Sequence, residues 1–438
     1  MIQKIDTTHF MDQFENAKAA LPGPWLSERR LAAMHNFGAH GFPTTREEDW
    51  KYTNLSRLGK TTFESPQSPI VAGPIDLKDV LIAGAQRLVI RNGAYDPLSS
   101  SVEMSADAGF FSDFSAAVED PSLTLNECLG NIASFEEGPL VALNTAFMQG
   151  GFVLIISDGV TIDRPIQIIH FVDCPNTDFV VHPRNLIVAG DDSSVEVVET
   201  YLGSINSRYW TNAVTEIRVG QNATVSHLKR QSETKHAYHT ARTQVYLDQG
   251  ADYRSVTVAT GAELSRNEIS VVLGGSGAKC MLAGGSLIRG SQHCDNTTKV
   301  DHRVPDTSSC QVFRNVLDDK SRSVFQGGII VRPNAQKTNG SQSSRSLLLA
   351  AGAQANTKPE LKIFADDVKC AHGATVGELD QDALFYLQSR GLSVKEAKSL
   401  LIQAFVNETL SEVRDDILRD HLFDAVVGWM NVAGESNG

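Results

Sequence analysis

The 438-residue sequence has no long hydrophobic run, few aromatic residues and few cysteines. Its longest apolar stretches, such as residues 151–156, are far shorter than the ~18 residues that a membrane-spanning helix needs. No window collects lysine and arginine, and 52 acidic against 39 basic side chains give a formal net charge of -13. This excludes an electrostatic nucleic-acid binder, since phosphate neutralisation requires clustered cations. We expect neither a nucleic-acid partner nor a membrane partner.

The start of the chain and its cysteine usage favour the cytoplasm. Residues 1–10 are polar and contain no apolar segment followed by a small-residue cleavage site. Six scattered cysteines are too few for a disulfide framework in a chain of this length, so we expect free thiols. The sequence contains no Cys-x-x-Cys and no His-Glu-x-x-His. A closed structural zinc site therefore has no support.

Hydrophobic spacing divides the sequence into three parts. Apolar residues recur at helical intervals in the first sixty residues, and residues 65–69 resemble a linker. From 151 to 364, glycine-bearing turns separate short segments in which apolar and polar residues alternate. Helical spacing returns near Leu379. The predicted parts are an N-terminal helical and mixed region over 1–150, a β core over 151–375 and a C-terminal helical domain over 376–438.

The turns of the β core recur with a regular period. Glycine-bearing turns begin at Gly190, Gly220, Gly250 and Gly277, at intervals of 30, 30 and 27 residues. A period in the ~20–50-residue range indicates stacked repeats, and we expect each glycine to turn a corner at positive φ. A mainly β fold is predicted: a right-handed parallel β-helix flanked by N-terminal and C-terminal α-helical regions. A β-sandwich, with turns every ~8–12 residues, is the alternative.

The C-terminal region predicts amphipathic, acidic helices. A Ser-x-x-Glu capping box at 393–396 begins one of them. Its predicted apolar face comprises Ala397, Leu400, Leu401, Ala404 and Phe405. Residues 376–438 contain 11 acidic and 5 basic side chains. Such a terminus fits a docking surface for another protein, and it fits equally a cap that closes the end of a β-helix.

The densest run of unusual residues, 358–377, contains Cys370 and His372. Two positions apart on a strand, their side chains face the same way with Cα atoms ~6.6 Å apart. A thiolate and an imidazole suit iron, zinc or an iron–sulfur cluster. A buried thiol beside a hydrogen-bonded histidine is the commoner outcome for such a pair. Both interpretations stay open at this point.

A second group combines His293 with Cys294 and Asp301 with His302, in a stretch that resembles a loop. These residue types can ligate metals. Turn residues with local hydrogen bonds are the favoured interpretation.

The run from 358 to 380, which includes Cys370-Ala-His-Gly-Ala-Thr375, resembles the C-terminal motif of the SufD family of iron–sulfur cluster assembly proteins. Shorter similarities occur at Glu48-Asp-Trp-Lys-Tyr-Thr53, Ala142-Leu-Asn-Thr-Ala-Phe147 and Ser323-Val-Phe-Gln-Gly-Gly-Ile-Ile-Val331. The sister family SufB has His-Glu-Ala-Thr where this chain has His-Gly-Ala-Thr, and an N-terminal cysteine motif that is absent here. SufD is therefore the better match.

The resemblance implies a parallel β-helix that pairs with SufB through β-helix ends, and that forms pairs of its own copies in isolation. It implies that the C-terminal helices hold the SufC ATPase, with Ala397, Leu400, Leu401, Phe405 and Glu408 as candidate contacts. His372, with Cys370 beside it, would be the ligand or iron-entry residue at the SufB interface. Iron or a cluster would bind there only transiently, and this chain alone would hold no cofactor firmly. The implied role is a scaffold subunit without turnover of its own.

A rival hypothesis is a polysaccharide-active β-helix enzyme with aspartates along a groove. The aromatic content of 7% and the lack of stacked tryptophans speak against sugar binding. Cleavage of pectin-like polymers by the purified protein would reinstate this alternative.

Overall fold

The computed structural model describes residues 5–65, 73–174 and 177–432. Most of the predicted linker at 65–69 lies outside these ranges. Within the described part, no helix has the length and apolar character that crossing a bilayer demands. The helices are α1 (Thr8–Ala17), α2 (Ser27–His40), α3 (Phe114–Glu119), α4 (Pro139–Phe147), α5 (Gln381–Ser389), α6 (Val394–Leu410) and α7 (Asp416–Val432).

Short strands make up most of the chain between α4 and α5, and three more precede α4. The first ten are β1 (Gln86–Arg91), β2 (Ala94–Tyr95), β3 (Gly109–Asp113), β4 (Phe152–Ile156), β5 (Ile166–Val172), β6 (Phe179–Val181), β7 (Arg184–Ala189), β8 (Ser194–Gly203), β9 (Tyr209–Val219) and β10 (Thr224–Gln231). The others are β11 (Tyr238–Leu247), β12 (Asp252–Ala259), β13 (Leu264–Leu273), β14 (Lys279–Ile288), β15 (His293–His302), β16 (Ser308–Leu317), β17 (Arg322–Val331), β18 (Thr338–Leu348), β19 (Gln354–Ile363) and β20 (Val368–Glu378).

The strands form two facing sheets that together make a parallel β-solenoid. One sheet has the order β2-β1-β5-β8-β10-β12-β14-β16-β18-β20, and the other has the order β19-β17-β15-β13-β11-β9-β7-β4-β3. From β7 onward the chain alternates between the sheets, so each coil adds one parallel strand to both. The predicted parallel β-helix is confirmed, and a sandwich of antiparallel strands is excluded. Its right-handed sense stays a prediction, in line with the strong preference of parallel crossovers.

The corner turns explain part of the glycine rhythm. Gly250 and Gly277 have φ of 70° and 78°, as the period predicts. At the first two turns the left-handed residues are instead Asp192 and Asn222, each with φ of 55° and two positions after the glycine. Gly220 is needed for space, because a Cβ there would crowd the backbone of the preceding coil. Asp and Asn tolerate the left-handed conformation, so the corner does not require glycine itself.

The N-terminal end of the solenoid is covered by other elements. The antiparallel strands β2 and β3 flank its first parallel strands, β1 and β4. Helices α1 and α2 lie along a flank instead, because Phe10 and Phe37 pack in a cluster with residues of three successive coils, namely Trp210, Tyr238 and Leu264. Strand β1 pairs in parallel with β5, although it lies within 1–150, the region predicted as helical and mixed. The solenoid therefore begins earlier in the chain than the change of hydrophobic period.

The C-terminal helices pack along the flank of the solenoid. Helix α6 begins with the predicted capping box of Ser393 and Glu396. Its buried face contacts strands β14 and β16. The buried residues of this face are Ala397, Ile402, Val406, Thr409 and Leu410. Apolar side chains of α6 and α7 therefore join a cluster with the outer side of one sheet.

Candidate functional site

The last coil of the solenoid is exposed where the preceding coil is buried. On β18 the inward-facing Gln342 and Ser344 are buried. Their register neighbours on β20 are His372 and Ala374, and both are exposed. Because side chains in register on parallel strands point to the same face, these four residues share the inner side of the sheet. Among the described residues, none covers this inner face, so the C-terminal end of the solenoid is open there.

Cys370 and His372 lie on this open end. Both belong to β20, and they share one face as their spacing predicts. Cys370 is half-buried among the side chains of Ile329 and Val331, and burial raises the pKa of its thiol. His372 is more exposed and lies beside Gln342 of the preceding coil. The pair offers one sulfur and one nitrogen donor toward the end of the solenoid.

The donor set of this chain is small. Among residues 5–65, 73–174 and 177–432, no three His, Cys, Asp or Glu side chains come together as a potential metal site. The structure places Cys370 and His372 together, but it leaves their predicted metal role untested. Chemically, a thiolate and an imidazole are suitable partial ligands for iron or for a cluster.

The second predicted group belongs to a strand and not to a loop. His293, Cys294, Asp301 and His302 all lie on β15. His293 hydrogen-bonds Thr53, Cys294 donates to Ser286 at 3.2 Å, and Asp301 pairs with arginines. Each side chain thus has a partner within the chain. The loop interpretation is wrong, because strand alternation here involves polar residues on both faces.

His302 at the end of β15 is buried and neutral. Its Nδ1 lies 2.8 Å from the Thr307 hydroxyl and its Nε2 lies 2.9 Å from the Ser309 hydroxyl. Burial lowers its pKa from 6.5 to about 4, despite the nearby Asp301 carboxylate. Hydrogen bonding and burial account for this residue without a metal.

We expect His302→Gln to reduce the acid sensitivity of the fold. Since the folded pKa of His302 lies below its unfolded value, the unfolded state binds more protons between about pH 6.5 and pH 4. The contribution of neutral His302 to the free energy of unfolding is complete above that window. It is lost as pH falls, and the loss amounts to about 2 kcal/mol at pH 5. Urea unfolding at pH 8 and pH 5 should show a smaller drop in the variant. The exposed His236→Gln is the control, and an equal drop in all three proteins would contradict the prediction.

The solenoid interior also contains charged groups that sequence analysis did not identify. Glu199 accepts a hydrogen bond from His227 at 2.7 Å. Burial would raise the pKa of Glu199, but the hydrogen bond and charge of His227 outweigh it and lower the pKa. Lys229 lies over the Tyr201 ring, and burial lowers its pKa to about 8. In the sequence, only the fact that these residues occupy the inward-facing positions of their strands could have indicated this cluster.

The predicted docking residues of α6 have different surroundings. Ala397 is fully buried, while Leu401 and Phe405 are half-buried. Leu400 is 46% exposed and is the most accessible apolar residue of this set. The face of α6 that packs on the solenoid centres on Ile402 and Val406, whereas Leu400 of the predicted apolar face points outward, and the docking role of that face stays a prediction.

Glu408 has a partner within the chain. Its two carboxylate oxygens accept from Nε and Nη2 of Arg314, at 2.9 and 2.5 Å. The Arg314 side chain is 1% exposed. Its hydrogen bond to the Glu408 carboxylate, together with its positive charge, holds the pKa of Glu408 below the usual range. Replacing Glu408 would leave a buried guanidinium without its carboxylate. Leu400 is consequently the better position for testing a docking surface.

The fold and the site together define a class: a β-solenoid scaffold with a covered N-terminal end and donor side chains at an open C-terminal end. Residues 172–405 match the SufBD core domain of the SUF system for FeS cluster assembly, and residues 5–168 match the SufBD protein N-terminal region. The chain belongs to the SufBD family of iron–sulfur cluster assembly proteins.

Individual relatives agree with this assignment. A SufBD family protein of Synechocystis is 31% identical over 89% of this chain and 87% of its own length. The iron-sulfur cluster assembly protein SufD of Escherichia coli is 29% identical over 87% of this chain and 88% of that protein. SufD of Bacillus subtilis is 27% identical over 92% and 93% of the two chains. The resemblance to SufD inferred from the sequence is confirmed.

Proposed function

We propose that the chain is the SufD-type scaffold subunit of a cytoplasmic iron–sulfur assembly complex. It pairs with a SufB-like β-helix through its open end and docks a SufC-like ATPase through its C-terminal helices. His372, with Cys370, faces the junction of the two β-helices. Iron or a nascent cluster is the cargo of that junction and not a resident cofactor. Sulfur acceptance and ATP hydrolysis belong to the partners, and the chain itself turns over no substrate.

The observation that carries this proposal is the exposed last coil. β19 and β20 stand at the ends of the two sheet orders, with no further strand of the described chain beside them. Ile363, Phe364 and Val376 are 40%, 61% and 49% exposed at this end. Unpaired backbone groups beside exposed apolar side chains favour association. A β-helix with a similar end would extend both sheets, as would a second copy of this chain.

The incomplete donor set supports a site shared between two subunits. Iron–sulfur clusters are commonly held by four protein ligands. Cys370 and His372 supply two at most, and both lie where a paired β-helix would approach. The remaining ligands would come from the partner, so a cluster built there would assemble only in the complex.

Exposed apolar residues on the C-terminal helices support the docking of a second partner. Phe385 and Tyr386 of α5 are 73% and 57% exposed, and Val394 and Leu400 of α6 are 51% and 46% exposed. Helices α5 and α6 contact each other, so this surface is continuous with the flank of the solenoid. Such aromatic and aliphatic side chains are typical anchors of protein interfaces.

Two substitutions should separate the proposed interfaces. Val376→Glu places a charge at the open end and should weaken SufB retention at least about tenfold, since a buried unpaired charge costs more than 1.4 kcal/mol. Leu400→Glu should weaken SufC retention while sparing SufB. The measurement is co-purification of the three proteins followed by native mass spectrometry. Leu98→Glu, at an 89% exposed residue, is the control. Normal retention of both partners in both variants would contradict the proposal.

A further inference from the structure

Gln342 lies directly behind His372 on the inner face of the solenoid. It belongs to β18, and its Cα is the register partner of the His372 Cα on β20. Register neighbours on adjacent strands are ~4.8 Å apart, within reach of a side-chain hydrogen bond. Gln342 is 3% exposed, whereas His372 is exposed at the open end. The amide therefore forms the floor beneath the imidazole.

Among the residues that the structure describes, neither amide atom of Gln342 has a hydrogen-bond partner. Both Nε2 and Oε1 are buried without one. A buried amide usually makes such bonds, and one left unpaired costs about 1–3 kcal/mol. A polar side chain retained at this cost needs a partner that is supplied from elsewhere or that is brought into place by a change of rotamer.

The packing around Gln342 restricts where that partner can be. Across the interior lies Gly327, and a Cβ at that position would coincide with the Gln342 amide nitrogen. On the preceding coil lies Gln311, whose Oε1 accepts from the Thr298 hydroxyl at 2.6 Å and whose Nε2 can donate to Gln342 but cannot accept from it. On the following coil the register neighbour is His372. The His372 imidazole is the neighbour that can either donate a hydrogen bond to the Gln342 amide or accept one from it.

We propose that Gln342 is a positioning residue for His372, an inference that rests on the proposed function. Its carboxamide oxygen accepts the ring N–H of His372 that faces the interior. The lone pair of the other ring nitrogen is then directed out of the open end, toward iron at the junction. Histidine ligands are generally oriented by such an acceptor on the second nitrogen. Only rotation of the two side chains is required, with no movement of the strands.

The tautomer of His372 is the direct test. The sample is the full chain carrying 15N-labelled histidine, with the His372 signal assigned through its absence in His372→Gln. We expect one tautomer in the wild type and a mixture of both in Gln342→Met, which removes the acceptor at similar volume. Gln342→Glu should restore a single tautomer, because it keeps an acceptor oxygen. Gly327→Ala, which displaces the amide, should resemble Gln342→Met.

Iron affinity supplies a second readout. Titration of the assembled complex with Fe2+ alone, under anaerobic conditions, should show about 10- to 100-fold weaker binding in Gln342→Met, the usual effect of losing an orienting partner. Gln354→Met on the exposed side of β19 is the control and should change neither readout. An unchanged tautomer ratio in folded Gln342→Met would overturn the inference. If His372→Ala also left cluster assembly intact, the proposed function itself would fail, so the two failures are distinguishable.

Discussion

Replacement of His372 by alanine is expected to abolish cluster formation by the assembled complex while leaving the chain folded. The residue is exposed on the last strand, and no hydrogen bond of the described structure depends on it. Its loss removes only the proposed bond to Gln342, so it should cost no more than about 1–3 kcal/mol, the cost of an unpaired amide, and leave the chain folded. A neutral imidazole supplies a nitrogen donor at neutral pH, and alanine removes it. Iron and sulfide contents of the anaerobically purified complex provide the measurement.

Two variants make this result interpretable. His236→Ala removes an exposed histidine far along the chain and should leave the cluster content unchanged. Cys370→Ser distinguishes a ligand from a packed thiol: a packed thiol should cost stability, of order 1 kcal/mol, and spare assembly. If Cys370 is a ligand, the cluster content should fall instead. Normal cluster content in folded His372→Ala would show that the histidine is structural.

The parallel solenoid could be predicted because its corners repeat. The intervals between Gly190, Gly220, Gly250 and Gly277 follow the length of one coil. The backbone sets this length, so it repeats even where the side chains differ. The conformation at each corner could not be predicted as well, because asparagine also tolerates the left-handed conformation, as Asn222 shows. Sequence rhythm thus indicates the coil, whereas the residue that makes the turn depends on local packing.

The location of the candidate site could be predicted, but its surroundings could not. Cys370 and His372 share a strand face, which spacing alone implies. Gln342 lies thirty residues earlier, and only the register of β18 with β20 brings it beside the histidine. The sequence of β15 resembles a loop because the strand carries polar side chains on its inner face as well as its outer face. Their neighbours in the solenoid interior are polar too, and only the structure shows this.

One buried ion pair stabilises the junction between the N-terminal region and the solenoid. Arg184 of β7 and Glu216 of β9 are both fully buried, with Nη2 and Oε1 2.6 Å apart. Arg184 also donates to Asn144 and Thr145 of α4. Glu216 accepts backbone N–H groups at 130, 132 and 133. The pair therefore fastens α4 and the preceding loop to the second sheet.

Glu216→Gln is expected to destabilise the protein by about 3–5 kcal/mol, the usual effect of removing one partner of a buried pair. The amide has nearly the same shape, but it leaves the Arg184 guanidinium without a compensating charge. It also replaces one acceptor oxygen by a donor that faces backbone N–H groups. Urea unfolding should show the loss, and limited proteolysis should show earlier cleavage near 130–133, where the backbone has lost its acceptor.

An exposed ion pair between β9 and the residue after β11 tests whether burial of the charges is the cause. Arg218 and Asp248 form a salt bridge at 3.3 Å, but the arginine side chain is 51% exposed. Arg218→Gln should therefore change stability by less than about 1 kcal/mol, because solvent already screens that pair. The double variant Arg184→Met with Glu216→Gln should recover part of the stability lost in Glu216→Gln, since it removes the uncompensated guanidinium and keeps one acceptor oxygen for the backbone N–H groups. Equal losses in Glu216→Gln and Arg218→Gln would show that the junction relies on packing and not on its buried charges.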